Sequence, residues 1–197
     1  AYLLALASLG AAFITGRVSW RKLGFALLGV GVTGQTLFLA LRWSRAGRAP
    51  MTNQHESLLL LSWGIILFAL FLGGKAVREH LMAWVTAAAL LVLAVASLLD
   101  PSIQPLMPAL RSNWLLYHVT AAMLGYAALA VGAVSATTLL FARDPVRIRS
   151  LDQIQYRALS LGFLLLTGGI LLGSVWANEA WGAYWSWDPK ETWSLVT

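Results

Sequence analysis

Aromatic residues are concentrated near the end of the sequence, in the stretch WGAYWSWDPKETW at residues 181 to 193. The candidate ligand-binding residues within and just before it are Trp176, Trp181, Gly182, Tyr184, Trp185, Trp187 and Asp188. Flat rings with few charges suit a large, flat, apolar ligand, because aromatic rings stack in offset or edge geometry. The alternative is an interfacial belt, in which tryptophans anchor membrane helices at the level of the lipid headgroups. The composition leaves both interpretations open, although so many rings exceed what a belt needs.

The same stretch contains a helix start. Asp188 is a suitable N-cap, Pro189 suits the first helical position, and Glu191 can complete a capping box. We therefore predict that a helix begins at Pro189 and that residues 176–187 form an outer loop or an interfacial segment between two spans. Trp181 and Trp185 are four residues apart, so one helical turn in this loop would place their rings on one face.

His118 is the second candidate for chemistry. It lies about one turn inside a predicted membrane span, where an ionisable residue is unfavourable and indicates a functional site. A neutral imidazole at this depth can bind a metal or a haem iron. The alternative is a histidine that forms a hydrogen bond between two helices. In contrast to His118, we interpret His55 as a solvated residue at a helix start. The sequence contains no cysteine that could act as a thiolate ligand or nucleophile.

Three arginines spaced by three residues, Arg42, Arg45 and Arg48, follow the second apolar run. They are predicted to contact lipid phosphates or, alternatively, to bind an anionic ligand, because guanidinium matches carboxylate geometry. Downstream, Asn53 and Glu56 have the spacing of a capping box for the next span.

The elements that must position these residues are membrane helices. Of 197 residues, 59% are hydrophobic and 11% are charged, well below the charged content of a soluble domain. We predict an all-α, polytopic transmembrane bundle with six complete spans and the start of a seventh at Pro189. The spans are at about 2–16, 23–41, 57–73, 82–98, 114–141 and 158–175. Residues 1–197 are predicted to form one membrane domain, an excerpt of a longer chain, because the sequence lacks an initial Met and stops within an apparent helix start.

Charge predicts the orientation. One set of loops contains nine of the 14 basic residues and three acidic residues, a net charge of +6, whereas the charges of the other set cancel. The basic residues of the first set are Arg17, Arg21, Lys22, Lys75, Arg78, Arg143, Arg147, Arg149 and Arg157, and its acidic residues are Glu79, Asp144 and Asp152. By the positive-inside rule this set is cytoplasmic, so the tryptophan-rich segment, residues 176–193, faces outward. Basic residues spread over several loops give no indication of nucleic-acid binding.

Three stretches carry a family resemblance. WGAYWSWDPKETWSLVT resembles the WWD signature of the haem-handling membrane proteins of cytochrome c maturation, and it is most similar to that of the CcsA (ResC) family. NQHESLLLLSW, residues 53–63, resembles the family's Asn-x-x-Glu-Ser-Leu segment, and LRSNWLLYHVTAAMLGYAAL, residues 110–129, resembles its Trp-x-x-x-His helix. The motifs occur in family order and cover roughly a third of the chain.

The resemblance implies that the protein delivers haem b to the outer membrane face with a CcsB-type membrane partner. There the haem would be attached through thioether bonds to the Cys-x-x-Cys-His motif of apocytochrome c. It also implies that the tryptophan-rich segment binds haem and that His118 is an axial iron ligand. The implied location is a bacterial cytoplasmic membrane or a thylakoid membrane, where the protein would form part of a holocytochrome c synthase. In the family, a second outer histidine follows the tryptophan-rich segment, beyond residue 197. No catalytic side chain is implied, because cofactor and substrate thiols make the bond.

A different class of function fits the same composition. A multi-span transporter subunit could use the tryptophan-rich segment as an external gate without haem chemistry. Such a protein is expected to have ionisable groups or broken helices near mid-membrane, and the predicted spans contain almost none. A purely structural membrane subunit is a third interpretation, and haem absorption by the purified protein would argue against both.

Overall fold

The structure, a computed structural model, describes residues 1–73 and 78–196. Its α-helices are α1 (Tyr2–Thr15), α2 (Val18–Ala46), α3 (Gln54–Leu72), α4 (Arg78–Ser97), α5 (Asn113–Leu139), α6 (Pro145–Trp181) and α7 (Pro189–Val196). A short 3-10 helix at Pro108–Leu110 precedes α5. The prediction of an all-α fold is confirmed for the described residues. The predicted inner charge at Lys75 and the side chains of Arg78 and Glu79 lie outside them.

Five helices among the described residues, α2 to α6, are long and apolar enough to cross a membrane. Helix α1 has 14 residues and ends at Gly16, whose φ of 66° is the left-handed conformation of a helix C-cap. At 1.5 Å per residue, α1 is about 21 Å long, shorter than a hydrocarbon core of about 30 Å. The protein is therefore an integral membrane protein with five candidate spans among the described residues, and the predicted span at 2–16 stays a prediction.

Helix α6 is much longer than the predicted span at 158–175. It begins after Asp144, whose side chain accepts a hydrogen bond from the Val146 amide, and it continues for 37 residues. It ends at Trp181, and the capping residue Gly182 has a φ of 80° and donates its N–H to the Asn178 carbonyl at 2.9 Å. The predicted non-helical segment at 176–187 is therefore wrong for residues 176–181, which belong to α6, whereas residues 182–187 form the turn between α6 and α7. Because the chain turns at Gly182, Trp181 and Trp185 do not share a helical turn.

Helices α5 and α6 pack closely through glycines. A Cβ atom at Gly125 would lie 3.0 Å from the backbone nitrogen of Leu166, and one at Gly169 would lie 3.1 Å from that of Ala122. Such distances are shorter than most Cβ contacts, so a side chain at either position would require the two helix backbones to move slightly apart. The main hydrophobic core lies among α1 to α6 and includes the fully buried Leu28, Ile66, Val85 and Val131.

Two loops and the end of α6 meet at the end of the bundle that carries the tryptophan-rich segment. The guanidinium of Arg42, near the end of α2, donates to the Pro101 carbonyl at 2.8 Å. The indole N–H of Trp176 donates to the Ala109 carbonyl at 3.0 Å. The α2–α3 loop, the α4–α5 loop and the end of α6 therefore form one connected face, as the predicted alternation of spans requires.

Candidate functional site

A cleft of about 220 Å³ lies where α5, α6 and α7 meet, and we call it the aromatic cleft. It is lined by six of the eight predicted site residues, namely His118, Trp176, Trp181, Tyr184, Trp185 and Asp188. Gly173, Lys190 and Ser194 also line it and were missed by the sequence analysis. The remaining two predicted residues, Gly182 and Trp187, do not line the cleft.

His118 is held by a hydrogen bond to the neighbouring helix. Its Nδ1 lies 2.7 Å from the Gly169 carbonyl oxygen, and the ring is half-buried. Because a carbonyl oxygen can only accept, Nδ1 carries the proton of this bond. The other ring nitrogen, Nε2, has no hydrogen-bond partner among the described residues. The two interpretations of His118 are therefore compatible, since the residue connects two helices and still keeps one nitrogen for a ligand.

The indole rings at the end of α6 are arranged around this histidine. Trp176 lies parallel to the His118 ring, with centroids 6.2 Å apart and planes at 8°. Trp181 packs against Trp176 in edge geometry at 4.7 Å. The hydrogen bond from Trp176 to the Ala109 carbonyl fixes the first of these rings. One wall of the cleft is therefore a pre-ordered aromatic surface beside an imidazole.

Trp185 forms another part of the cleft, after the turn that follows α6. Its ring packs edge-on against Trp187, with centroids 5.7 Å apart and planes at 87°. The Trp185 indole N–H is buried and has no acceptor among the described residues. A buried donor without a partner is unfavourable, so this N–H is a candidate for a hydrogen bond to a bound ligand.

The capping box predicted at the start of α7 is confirmed. Asp188 Oδ1 accepts a hydrogen bond from the Glu191 amide at 2.7 Å. Glu191 Oε2 in turn accepts from the amides of Ser186 at 2.6 Å and Asp188 at 3.3 Å. Trp187, between them, has a φ of 59°, a conformation that non-glycine residues rarely adopt. Glu191 therefore holds the turn that carries Trp185 and Trp187.

The predictions for the outer arginines need correction. Arg42 Nε lies 2.9 Å from Glu56 Oε1, and Arg48 Nη1 lies 3.0 Å from Glu56 Oε2. Glu56 is fully buried, and a buried carboxylate requires paired charges and hydrogen bonds. Arg42 and Arg48 thus bind a residue of the protein itself, in place of lipid phosphates or an anionic ligand. Arg45 is exposed.

The predicted capping box at Asn53 is half correct. Asn53 Oδ1 accepts from the Glu56 amide at 2.8 Å, but the Glu56 carboxylate accepts from the Thr52 amide rather than from Asn53. Glu56 is drawn away because it binds two arginines. His55 is also not simply solvated, since its Nδ1 lies 2.8 Å from the Ala96 carbonyl oxygen.

The neighbouring α4–α5 loop has its own hydrogen bonds. The pKa of Asp100 lies below its ordinary value mainly because the Ser102 hydroxyl donates a hydrogen bond to its carboxylate, and secondarily because the Ser102 amide does so as well. The Ser102 carbonyl accepts from the Asn53 side chain, and the Gln104 carbonyl accepts from Arg48. These bonds join the loop to the start of α3, beside the face that carries the aromatic cleft.

Comparisons with known proteins give a consistent result. A family model described as cytochrome C assembly protein matches residues 51–197. Three similar proteins carry the name cytochrome c biogenesis protein CcsA. The one from Guillardia theta is 38% identical over 82% of this chain and 64% of its own length. The one from Prochlorococcus marinus strain MIT 9312 is 37% identical over 96% and 72%. The one from Chlamydomonas reinhardtii is 40% identical over 87% and 53%. The chain thus spans between 53% and 72% of the length of these three relatives.

Proposed function

Because the chain belongs to the cytochrome c assembly protein family, which includes the CcsA proteins, we propose that it presents haem b for covalent attachment to apocytochrome c. The relatives are named for cytochrome c biogenesis. The aromatic cleft is the proposed haem-binding site, and His118 is the proposed iron ligand.

The single observation that carries the proposal is the state of His118. Its Nδ1 is bonded to the Gly169 carbonyl, and Nε2 has no partner among the described residues. Metal-bound histidines commonly donate their second ring N–H to a carbonyl or carboxylate, which fixes the tautomer and the ring orientation. The arrangement of His118 is therefore the one expected of a histidine that binds a metal.

The residues of the cleft fit haem b in chemical type. Trp176, Trp181 and Trp185 supply apolar ring surface, and Lys190 adds a cationic group. The cleft volume of about 220 Å³ is below the ~300 Å³ at which pockets begin to enclose ligands of drug size. A cleft of this size would enclose only part of a porphyrin, so the rest would stay accessible to a protein substrate.

In the proposed reaction this chain binds and orients the haem. Haem supplies the vinyl groups to which the thiols of apocytochrome c add. His118 would hold the iron, and the indole rings would set the tilt of the ring system and exclude water from one of its faces. No nucleophile is needed from this sequence, which contains no cysteine. In this proposal the protein forms part of a holocytochrome c synthase.

The charge distribution supports a direction for this process. The basic loops would face the cytoplasm, so the aromatic cleft would open on the outer side, where apocytochrome c arrives. We propose a bacterial cytoplasmic or thylakoid membrane as the location and a CcsB-type membrane protein as the partner. With α1 as a sixth crossing, the N-terminus would also be outside.

The direct test compares two histidines at the same end of the bundle. Full-length protein would be purified as wild type, His118→Ala and His55→Ala, and the haem-to-protein ratio and Soret absorbance would be measured at equal protein. We expect His118→Ala to lose haem or shift its spectrum, to lose cytochrome c maturation, and to regain part of both with added imidazole. His55→Ala should keep its haem, since His55 lies outside the cleft. Normal haem content, spectrum and cytochrome yield in His118→Ala would refute the proposed function.

A further inference from the structure

We propose that Gly173 is a positioning residue, which keeps His118 in the tautomer that leaves Nε2 free to bind a ligand. An ideal Cβ atom built on Gly173 would lie 2.6 Å from Nδ1 and 2.7 Å from Cε1 of His118. Both distances are too short for real atoms, so any side chain at position 173 displaces the ring. The role as a positioning residue for a haem ligand rests on the proposed function, whereas the effect on the tautomer does not.

Helix geometry explains why this position matters. Residues 169 and 173 are four apart, so they lie on the same face of α6, one turn from each other. The Cα–Cβ bonds of a helix tilt toward its N-terminus, so a side chain at 173 would lean over the Gly169 carbonyl. That carbonyl has a second lone pair besides the one used within the helix, and His118 Nδ1 binds there at 2.7 Å. Glycine at 173 leaves this approach open.

The hydrogen bond determines which nitrogen is available. A neutral imidazole has one protonated and one unprotonated nitrogen, and only the unprotonated one can coordinate a metal. Donation from Nδ1 to Gly169 therefore makes Nε2 the coordinating nitrogen. On its flat side the ring lies parallel to Trp176, so a displaced ring would also lose this contact. A methyl group at 173 thus alters both the tautomer and the orientation of His118.

Gly168 provides a matched control on the same helix. A Cβ atom at this position would meet nothing within 4 Å. Gly168→Ala and Gly173→Ala make the same chemical change five residues apart, and helix propensity favours alanine in both. Only the second change affects the imidazole.

The first experiment reads the tautomer without haem. Full-length protein labelled with ¹⁵N-histidine would be studied by NMR in the haem-free state, at a pH where the imidazole is neutral, with the His118 signals assigned through His118→Ala. We expect a protonated Nδ1 and an unprotonated Nε2 in the wild type and in Gly168→Ala, and shifted signals in Gly173→Ala. A wild-type His118 protonated at Nε2, or signals unchanged by Gly173→Ala, would overturn the proposal.

The second experiment is a double-mutant cycle on haem affinity. Changes that disturb the partners of a metal ligand typically weaken metal binding about 10- to 100-fold, and we expect a loss in this range for Gly173→Ala and none for Gly168→Ala. If Gly173 acts through His118, its substitution has little further effect in the His118→Ala background. An equal loss in both backgrounds would show that Gly173 contacts the ligand directly and would contradict the positioning role.

The two experiments separate this inference from the proposed function. If His118→Ala keeps its haem, the proposed function fails, while the tautomer measurement still tests the effect of Gly173. If His118→Ala loses haem but the wild-type tautomer is the opposite one, the proposed function stands and the inference fails. The wild-type tautomer also provides a test if Gly173→Ala does not fold.

Discussion

Arg42 Nε donates a hydrogen bond to Glu56 Oε1 at 2.9 Å, and Glu56 is fully buried at the start of α3. Arg48 binds the second carboxylate oxygen, and Arg42 also reaches the Pro101 carbonyl. The Glu56 carboxylate therefore holds the end of α2 and the loop after it, and through Arg42 it is connected to the α4–α5 loop. This cluster lies at the same end of the bundle as the aromatic cleft but does not line it.

We predict that Glu56→Gln strongly destabilises the protein. It leaves two arginines without their carboxylate, and breaking a buried ion pair in this way costs roughly 3–5 kcal/mol. Thermal unfolding in detergent, or the yield of monodisperse protein, would measure the effect. Arg45→Gln is the control, since Arg45 is exposed, and it should change stability by less than about 0.5 kcal/mol.

The same cluster predicts the behaviour of Arg42→Gln. The amount of folded protein should fall, while the haem bound per folded molecule should stay at the wild-type ratio. The structural reason is that Arg42 binds Glu56 and Pro101 and is absent from the cleft lining. A lower haem ratio at equal folded protein would instead support the earlier interpretation of an anion-binding arginine.

A second pair of variants tests the start of α7. Asp188→Ala removes the N-cap hydrogen bond to Glu191, which should destabilise this helix by about 1 kcal/mol. We expect weaker haem binding, because the cleft residues Lys190 and Ser194 lie on α7. Asp188→Asn should retain most of the affinity, since asparagine is an equally good N-cap. Equal losses in both variants would indicate that the Asp188 charge, rather than the cap, matters for binding.

The Trp185 indole N–H, which has no acceptor among the described residues, predicts opposite effects on the stability of the haem-free protein and on its affinity for haem. Trp185→Phe keeps an aromatic ring but removes the buried N–H, so haem-free protein should become slightly more stable. If this N–H donates to bound haem, affinity should fall about two- to tenfold, the equivalent of one hydrogen bond. Haem titration and thermal unfolding of the same preparations would measure both effects. Trp187→Phe serves as the control outside the cleft. An unchanged haem affinity in Trp185→Phe would show that the Trp185 N–H does not bind haem.

Orientation can be tested by labelling single cysteines introduced at Ala183 and Arg149. The structure places Ala183 in the exposed turn after α6 and Arg149 on the exposed surface near the opposite end of this helix. Ala183 is preferable to Gly182, whose φ of 80° disfavours any side chain. We expect an impermeant thiol reagent to label position 183 in intact cells and position 149 only after lysis, in a full-length protein without other accessible cysteines. Labelling of position 149 from outside would reverse the orientation.

Local features were predictable from the sequence because their physics is local. The start of α7 follows from Pro189, which suits the first helical position, and from Asp188 and Glu191, which bond to each other within four residues. The all-α fold follows from long apolar runs, since a helix satisfies every backbone group within its own segment. The concentration of rings before Asp188 likewise identified the four aromatic residues that line the cleft near the end of α6, Trp176, Trp181, Tyr184 and Trp185.

What the sequence could not determine were contacts between distant residues. Arg48 and Glu56 were interpreted separately, because no local rule shows that a buried carboxylate turns away from its cap toward two arginines. The continuation of α6 to Trp181 was missed because tryptophans beside charged residues look like a membrane-interface loop, whereas only Gly182 ends the helix. The partner of His118 lies 51 residues away, and glycines 169 and 173 matter only because α5 packs against that face of α6. Only the tertiary structure decides which helix faces meet, and at this site that packing places Nδ1 of His118 against the Gly169 carbonyl.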